Sequence, residues 1–174
     1  MKKIKISLYY VLSIHILALL FMSVQRLMLL VTNLQHLEGV ETEFSSIFSA
    51  LLRGLWFDNV IACYISILPL VVFVIAGLLN KLVKGLFRTF NFFYIIVYTL
   101  VFAIGSADIP YFNYFFKHLN SSIFNWNEEG GTTAGMILEE ASYYIYMVLF
   151  VIAIISFGYL VFMISKKLLR KEQQ

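Results

Sequence analysis

Charge is what this 174-residue chain has least of: 13% of its residues are Asp, Glu, Lys or Arg, while 61% are apolar and the mean hydropathy is +0.85. Soluble domains carry about 25% charged and 45–50% apolar residues. So little polar surface cannot cover a water-soluble core, and the apolar residues come in long blocks, which leaves an integral membrane protein. Cysteine is nearly absent, and the single Cys63 inside an apolar block excludes a disulfide framework and a thiolate metal cluster. Three histidines, His15, His36 and His118, fall on separate segments, so no ligand pair shares a helix turn and no metal site is expected. Glycine-rich phosphate loops, a Gly-x-Ser-x-Gly elbow and internal repeats are missing as well. The net charge of +3 comes from basic residues that flank the apolar blocks, which reads as a membrane-topology signal and excludes a nucleic-acid partner.

What is present is four apolar segments, each meeting the roughly 20 residues that a helix needs to cross a bilayer. They cover about 7–31, 57–79, 89–107 and 141–165. The expected fold is all-α: one polytopic membrane domain, residues 1–174, with four transmembrane helices. Pro69 should kink or loosen the second of them.

Ten of the 13 Lys and Arg residues fall on one side of such a topology: Lys2, Lys3 and Lys5, then Lys81, Lys84 and Arg88, then Lys166, Lys167, Arg170 and Lys171. The positive-inside rule puts both termini in the cytoplasm and the segments 32–56 and 108–140 outside. The first helix reads as an uncleaved signal anchor, because its apolar stretch runs past Phe21 without a small-x-small cleavage site. Phe87, Phe90, Phe92, Phe93 and Tyr94 read as an inner aromatic belt, and Tyr143, Tyr144 and Tyr146 as an outer one.

Within the first outer loop, Phe44, Ile47, Phe48, Leu51 and Leu52 recur at helical spacing with Ser45, Ser46 and Ser49 on other faces, predicting an amphipathic interfacial helix. Its apolar stripe reads first as a packing face that leads into the second span, and second as a cover over a lipid entry. The outer segment 108–126 is too aromatic for a solvated connection and is expected in the interface.

Ionisable groups at the edge of membrane helices are costly unless paired, which singles out Arg26, Asp58 and Asp108. At about 1.5 Å per residue all three reach the same outer depth and are expected to form one polar cluster. Its first reading is structural, an arginine between two carboxylates. In the second, Arg26 with Lys117 or His118 meets the phosphate of an anionic membrane lipid. His15 is expected to hydrogen-bond within the bundle, since no charged partner shares its depth.

The run Arg53-Gly-Leu-Trp-Phe-Asp58 entering a helix that contains Pro69, the run Ala107-Asp-Ile-Pro-Tyr-Phe-Asn-Tyr-Phe115 leaving another, and Arg26 in the outer half of the first helix resemble the N-terminal membrane region of the lipoteichoic acid synthase family of phosphoglycerol transferases. Trp56 stands where members carry an arginine. The resemblance implies a bacterial cytoplasmic (inner) membrane location and an extracytoplasmic catalytic domain of the alkaline phosphatase and sulfatase superfamily. That domain would hold a threonine nucleophile and a divalent metal, usually manganese, neither of which belongs to these residues. Thr132 and Thr133 lack a surrounding ligand set, so no catalytic residue and no cofactor is expected here. On this resemblance the chain anchors the catalytic domain, stops one helix short of it, and helps to supply its lipid substrate. The alternative is a stand-alone, non-enzymatic membrane scaffold or assembly protein with a protein partner.

Overall fold

The computed structural model describes residues 2–33, 44–79, 81, 83–115, 118 and 144–173. Four helices make up the fold: α1 (Lys2–Thr32), α2 (Phe44–Leu78), α3 (Lys84–Phe115) and α4 (Tyr144–Gln173). Each is long and apolar enough to cross a membrane. With 30 to 35 residues apiece they extend about 45–53 Å. A hydrocarbon core is about 30 Å thick, so every helix is longer than an upright crossing requires.

These extensions change two expectations. The segment expected as an interfacial helix is helical, and it runs without a break into the second span. Partly covered Ile47 and Leu51 continue the buried stripe of α2 through Gly54, Asp58, Ala62, Ser66, Pro69, Phe73 and Gly77, whereas Phe44, Phe48 and Leu52 face outward. One packing face thus serves both the loop segment and the span. On α3, residues 108–115 were expected in a loop, and the helix passes through Pro110 to Phe115 instead. A proline inside a helix costs about 3 kcal/mol. Burial of Ile109 and the side-chain bonds of Asn113 beyond it offset that cost.

At the centre lies α1, which packs on α2, α3 and α4, while α3 and α4 pack on one another. Between apolar helices in lipid the attraction is dispersion and hydrogen bonding, which rewards small residues that let backbones approach. The buried face of α2 is built that way, and a Cβ on Gly77 would lie 2.8 Å from Ile4 Cγ1 of α1. Against it, α1 and α3 present large rings. Tyr10 is 5.2 Å from Phe73 and 5.0 Å from Phe87, centroid to centroid, and Phe157 of α4 is 5.1 Å from Tyr98 and 5.2 Å from Phe102. Phe87, Phe90 and Tyr94 are therefore core residues and not an interfacial belt, and of that set Phe92 is the one turned outward. Leucine, isoleucine and valine cover the outer surface of all four helices.

Register along α3 and α4 is antiparallel: Phe102 meets Phe157, Gly158 lies against Ile95, and Phe92 meets Phe162. The bundle has a terminal end, where α1 begins and α4 finishes, and a distal end, where Asn33, Asn113 and Tyr146 meet.

Candidate functional site

The polar groups of α1 are distributed so that successive ones face different neighbours. Tyr10 donates its hydroxyl to Asn91 Oδ1 at 2.6 Å, a bond between α1 and α3 buried near the terminal end. His15 Nε2 lies 3.0 Å from Asn59 Oδ1, within hydrogen-bond distance between α1 and α2. This is the hydrogen bond within the bundle expected for His15.

Towards the distal end, Arg26 donates to both carboxylate oxygens of Asp58, from Nη2 to Oδ1 at 2.7 Å and from Nε to Oδ2 at 3.3 Å. The fork geometry is the strong form of this contact. Asp58 is buried, its side chain 9% exposed, whereas that of Arg26 is 34% exposed. Gly54, one helical turn before Asp58, makes the approach possible. A Cβ there would overlap the guanidinium at Cζ, Nε and Nη1. Gly54 and Asp58 together form a notch on α2 into which the arginine of α1 lies.

Asp108 belongs to a different pair. Its Oδ2 is 2.7 Å from His118 Nδ1, and the His118 ring lies 4.9 Å from that of Phe112. The expected single cluster thus resolves into an Arg26–Asp58 pair between α1 and α2 and an Asp108–His118 pair that ties the end of α3 to the segment following it. Lys117, Thr132 and Thr133 lie outside the described residues. Trp56 points away from the notch, 70% exposed on the surface of α2.

Sequence reasoning missed the neutral amides. Gln25, adjacent to Arg26 and directed at the opposite neighbour, donates from Nε2 to the Phe102 carbonyl at 3.0 Å and to Ser106 Oγ at 2.9 Å. Gly105 makes room for it, since a Cβ there would be 2.8 Å from Gln25 Oε1. Asn33 Nδ2 donates to Asn113 Oδ1 at 2.6 Å, and Asn113 Nδ2 donates to the Tyr146 hydroxyl at 3.2 Å, linking α1, α3 and α4. The available signal was the position of Gln25 within the apolar stretch of α1 and of Asn33 just after its end, where an amide needs a partner.

Beside Gln25 a crevice of about 340 Å³ runs between α1, α3 and α4. Leu20, Val24, Met28, Leu149, Ile152 and Ala153 supply its apolar wall, with Gln25, Ser106, Tyr146 and Ser156 as its polar members. That volume lies within the range of small-molecule sites, about 300–1,000 Å³. It suits an apolar chain with one or two polar atoms.

No family model, characterised protein or solved structure matches the chain. Function therefore rests on the geometry and on the short motifs. Among the described residues, no three His, Cys, Asp or Glu side chains come together in a way that could hold a metal ion.

Proposed function

We propose that this chain is the membrane domain of a lipoteichoic acid synthase-like phosphoglycerol transferase or sulfatase-type protein. In this reading it anchors an extracytoplasmic catalytic domain in the bacterial inner membrane, with both termini cytoplasmic, and presents a membrane lipid to that domain. The observation that carries the proposal is the crevice beside Gln25. It lies in the distal half of the bundle, in the outer leaflet under this topology, and its apolar walls with a few polar atoms match the upper part of a phospholipid. The motif residues add support, because Arg26, Gly54 and Asp58, which carry the resemblance, form one contact. Saturated by Asp58, Arg26 acts as the clamp between α1 and α2 and holds one wall of the crevice in place. The metal and the nucleophile belong to the catalytic domain and not to this one.

A phosphatidylglycerol bearing a photoreactive acyl chain tests this in membranes that contain the full chain. Labelling should map to α1, α3 and α4 around Ala153, and Ala153→Trp, which fills the crevice, should lower it several-fold at unchanged folded yield. Equal labelling of the two proteins would overturn the lipid role. An immunoblot of the source membrane tests the anchoring role: a species several times 20.1 kDa supports it. A species of 20.1 kDa that co-purifies with a stable partner would replace it with the scaffold reading.

A further inference from the structure

At the terminal end of the bundle, a second cleft of about 510 Å³ opens between the start of α3 and the end of α4. Its charged members are Lys84 and Arg88 on α3 and Lys166 and Arg170 on α4, and among the described residues no carboxylate lines it. The spacing explains the arrangement. Each pair is i, i+4, so each pair shares one helix face. The antiparallel register that sets Phe92 against Phe162 and Ile95 against Gly158, continued one and two turns, places Arg88 level with Lys166 and Lys84 level with Arg170. Four like charges therefore converge on one cleft. Of the ten acids in the chain, Glu172 alone falls in a segment leading to this end.

Four like charges lining one cleft favour an anion between them. Three further features suit an oxyanion. The cleft lies at the N-terminus of a 32-residue helix, where unpaired backbone N–H groups and the helix dipole favour negative charge. Gly85 lines it with no side chain or neighbouring atom within 4 Å of where a Cβ would be, so that backbone is open to approach. Two buried polar residues also line it, Asn91, 3% exposed with its Oδ1 taken by Tyr10, and Ser165 on α4. Phe162, which is exposed, and Leu169 add an apolar wall.

We propose that this cleft is a binding site for a phosphate-bearing anion, held by Lys84, Arg88, Lys166 and Arg170. The apolar wall assigns it to the phosphodiester headgroup of an anionic phospholipid in the leaflet at the terminal end. Basic pockets between membrane helices are a recognised setting for such headgroups. The site is at the opposite end of the bundle from the crevice beside Gln25 and does not depend on the function proposed for that crevice.

Native mass spectrometry of the full chain in neutral detergent, titrated with phosphatidylglycerol, provides the test, with phosphatidylcholine, inorganic phosphate and glycerol 3-phosphate as comparison probes. Each cation should contribute about fivefold, so Arg88→Ala with Lys166→Ala should weaken phosphatidylglycerol retention about 30-fold. Lys5→Ala with Lys167→Ala removes the same charge from residues that do not line the cleft and should change retention by less than about threefold. The charge-preserving pair Arg88→Lys with Lys166→Arg should restore binding. If the double alanine variant does not fold, Arg170→Gln at the exposed end of α4 should still lower retention about fivefold. Equal losses from the two double variants, or equal retention of phosphatidylcholine, would overturn the site. Competition by inorganic phosphate or glycerol 3-phosphate at the same concentrations as the lipid would overturn its assignment to a lipid.

Discussion

Replacing Gly54 by alanine should destabilise the bundle, although alanine is the better helix former by about 1 kcal/mol. The added Cβ occupies the space of the Arg26 guanidinium, so the arginine must withdraw and the buried Asp58 carboxylate loses both of its bonds. Removing one partner of a fully buried pair costs about 3–5 kcal/mol. Here the arginine is displaced rather than deleted and is one-third exposed, which reduces the loss to about 2–3 kcal/mol. Subtracting the helix-propensity gain leaves a net destabilisation of about 1–2 kcal/mol, or roughly 2–8 °C in a detergent melting curve. The same substitution in an Arg26→Ala, Asp58→Leu background meets neither a guanidinium nor a stranded carboxylate. Its sign should reverse, to a stabilisation of up to about 1 kcal/mol. The readout is fluorescence-detected size-exclusion thermostability of the four proteins. Equal destabilisation in both backgrounds would show that Gly54 is small for a reason other than Arg26, and the notch would be refuted.

Other substitutions separate groups that only their partners distinguish. The buried hydroxyl of Tyr98 has no hydrogen-bond partner among the described residues, so Tyr98→Phe should be neutral or slightly stabilising in the same melting assay, whereas Tyr10→Phe, which loses the bond to Asn91, should cost about 1 kcal/mol. Gln25→Leu removes two bonds to α3 and should cost about 1–2 kcal/mol, while Gln25→Asn, too short to reach, should behave similarly. Asp58→Ala strands the Arg26 guanidinium and should lower folded yield, while phosphatidylglycerol retention per folded molecule stays at the wild-type level; a normal yield with reduced retention would move Arg26 from a clamp to a headgroup ligand. Asn113→Ala should speed amide hydrogen exchange at the distal ends of α1 and α4 together, because that one side chain joins them; exchange confined to α3 would contradict the link.

Composition made the four crossings and the all-helical fold legible, because a run of about 20 apolar residues has few alternatives in lipid. The helix ends were less visible. Pro110 and the aromatic residues around it carry the marks of an interfacial loop, yet burial of Ile109 on the bundle carries the helix onward. Depth alone placed Arg26, Asp58 and Asp108 together, but depth is one coordinate of three. The rotation of each helix about its axis decides which charges meet, and that follows from close packing, such as Ile4 on Gly77. For the same reason Lys84, Arg88, Lys166 and Arg170 read as topology signals when taken singly. Their i, i+4 spacing on two helices became a shared cleft only once the α3–α4 register was known.

The central place of α1 bears on how the protein is made. The helix that every other element packs against is synthesised before the other three, and it carries His15, Gln25 and Arg26 before any of their partners exist. Arg26 precedes Asp58 by 32 residues. At about 5–20 residues per second, that gap lasts roughly 2–6 s. Throughout it the arginine is held without its carboxylate, at a site where an uncompensated cation is disfavoured by up to about 3 kcal/mol. Arrival of Asp58 ends the wait, and Gln25 waits longer still, for Phe102 and Ser106. Assembly therefore proceeds around a helix whose polar groups find their partners only as its successors are inserted.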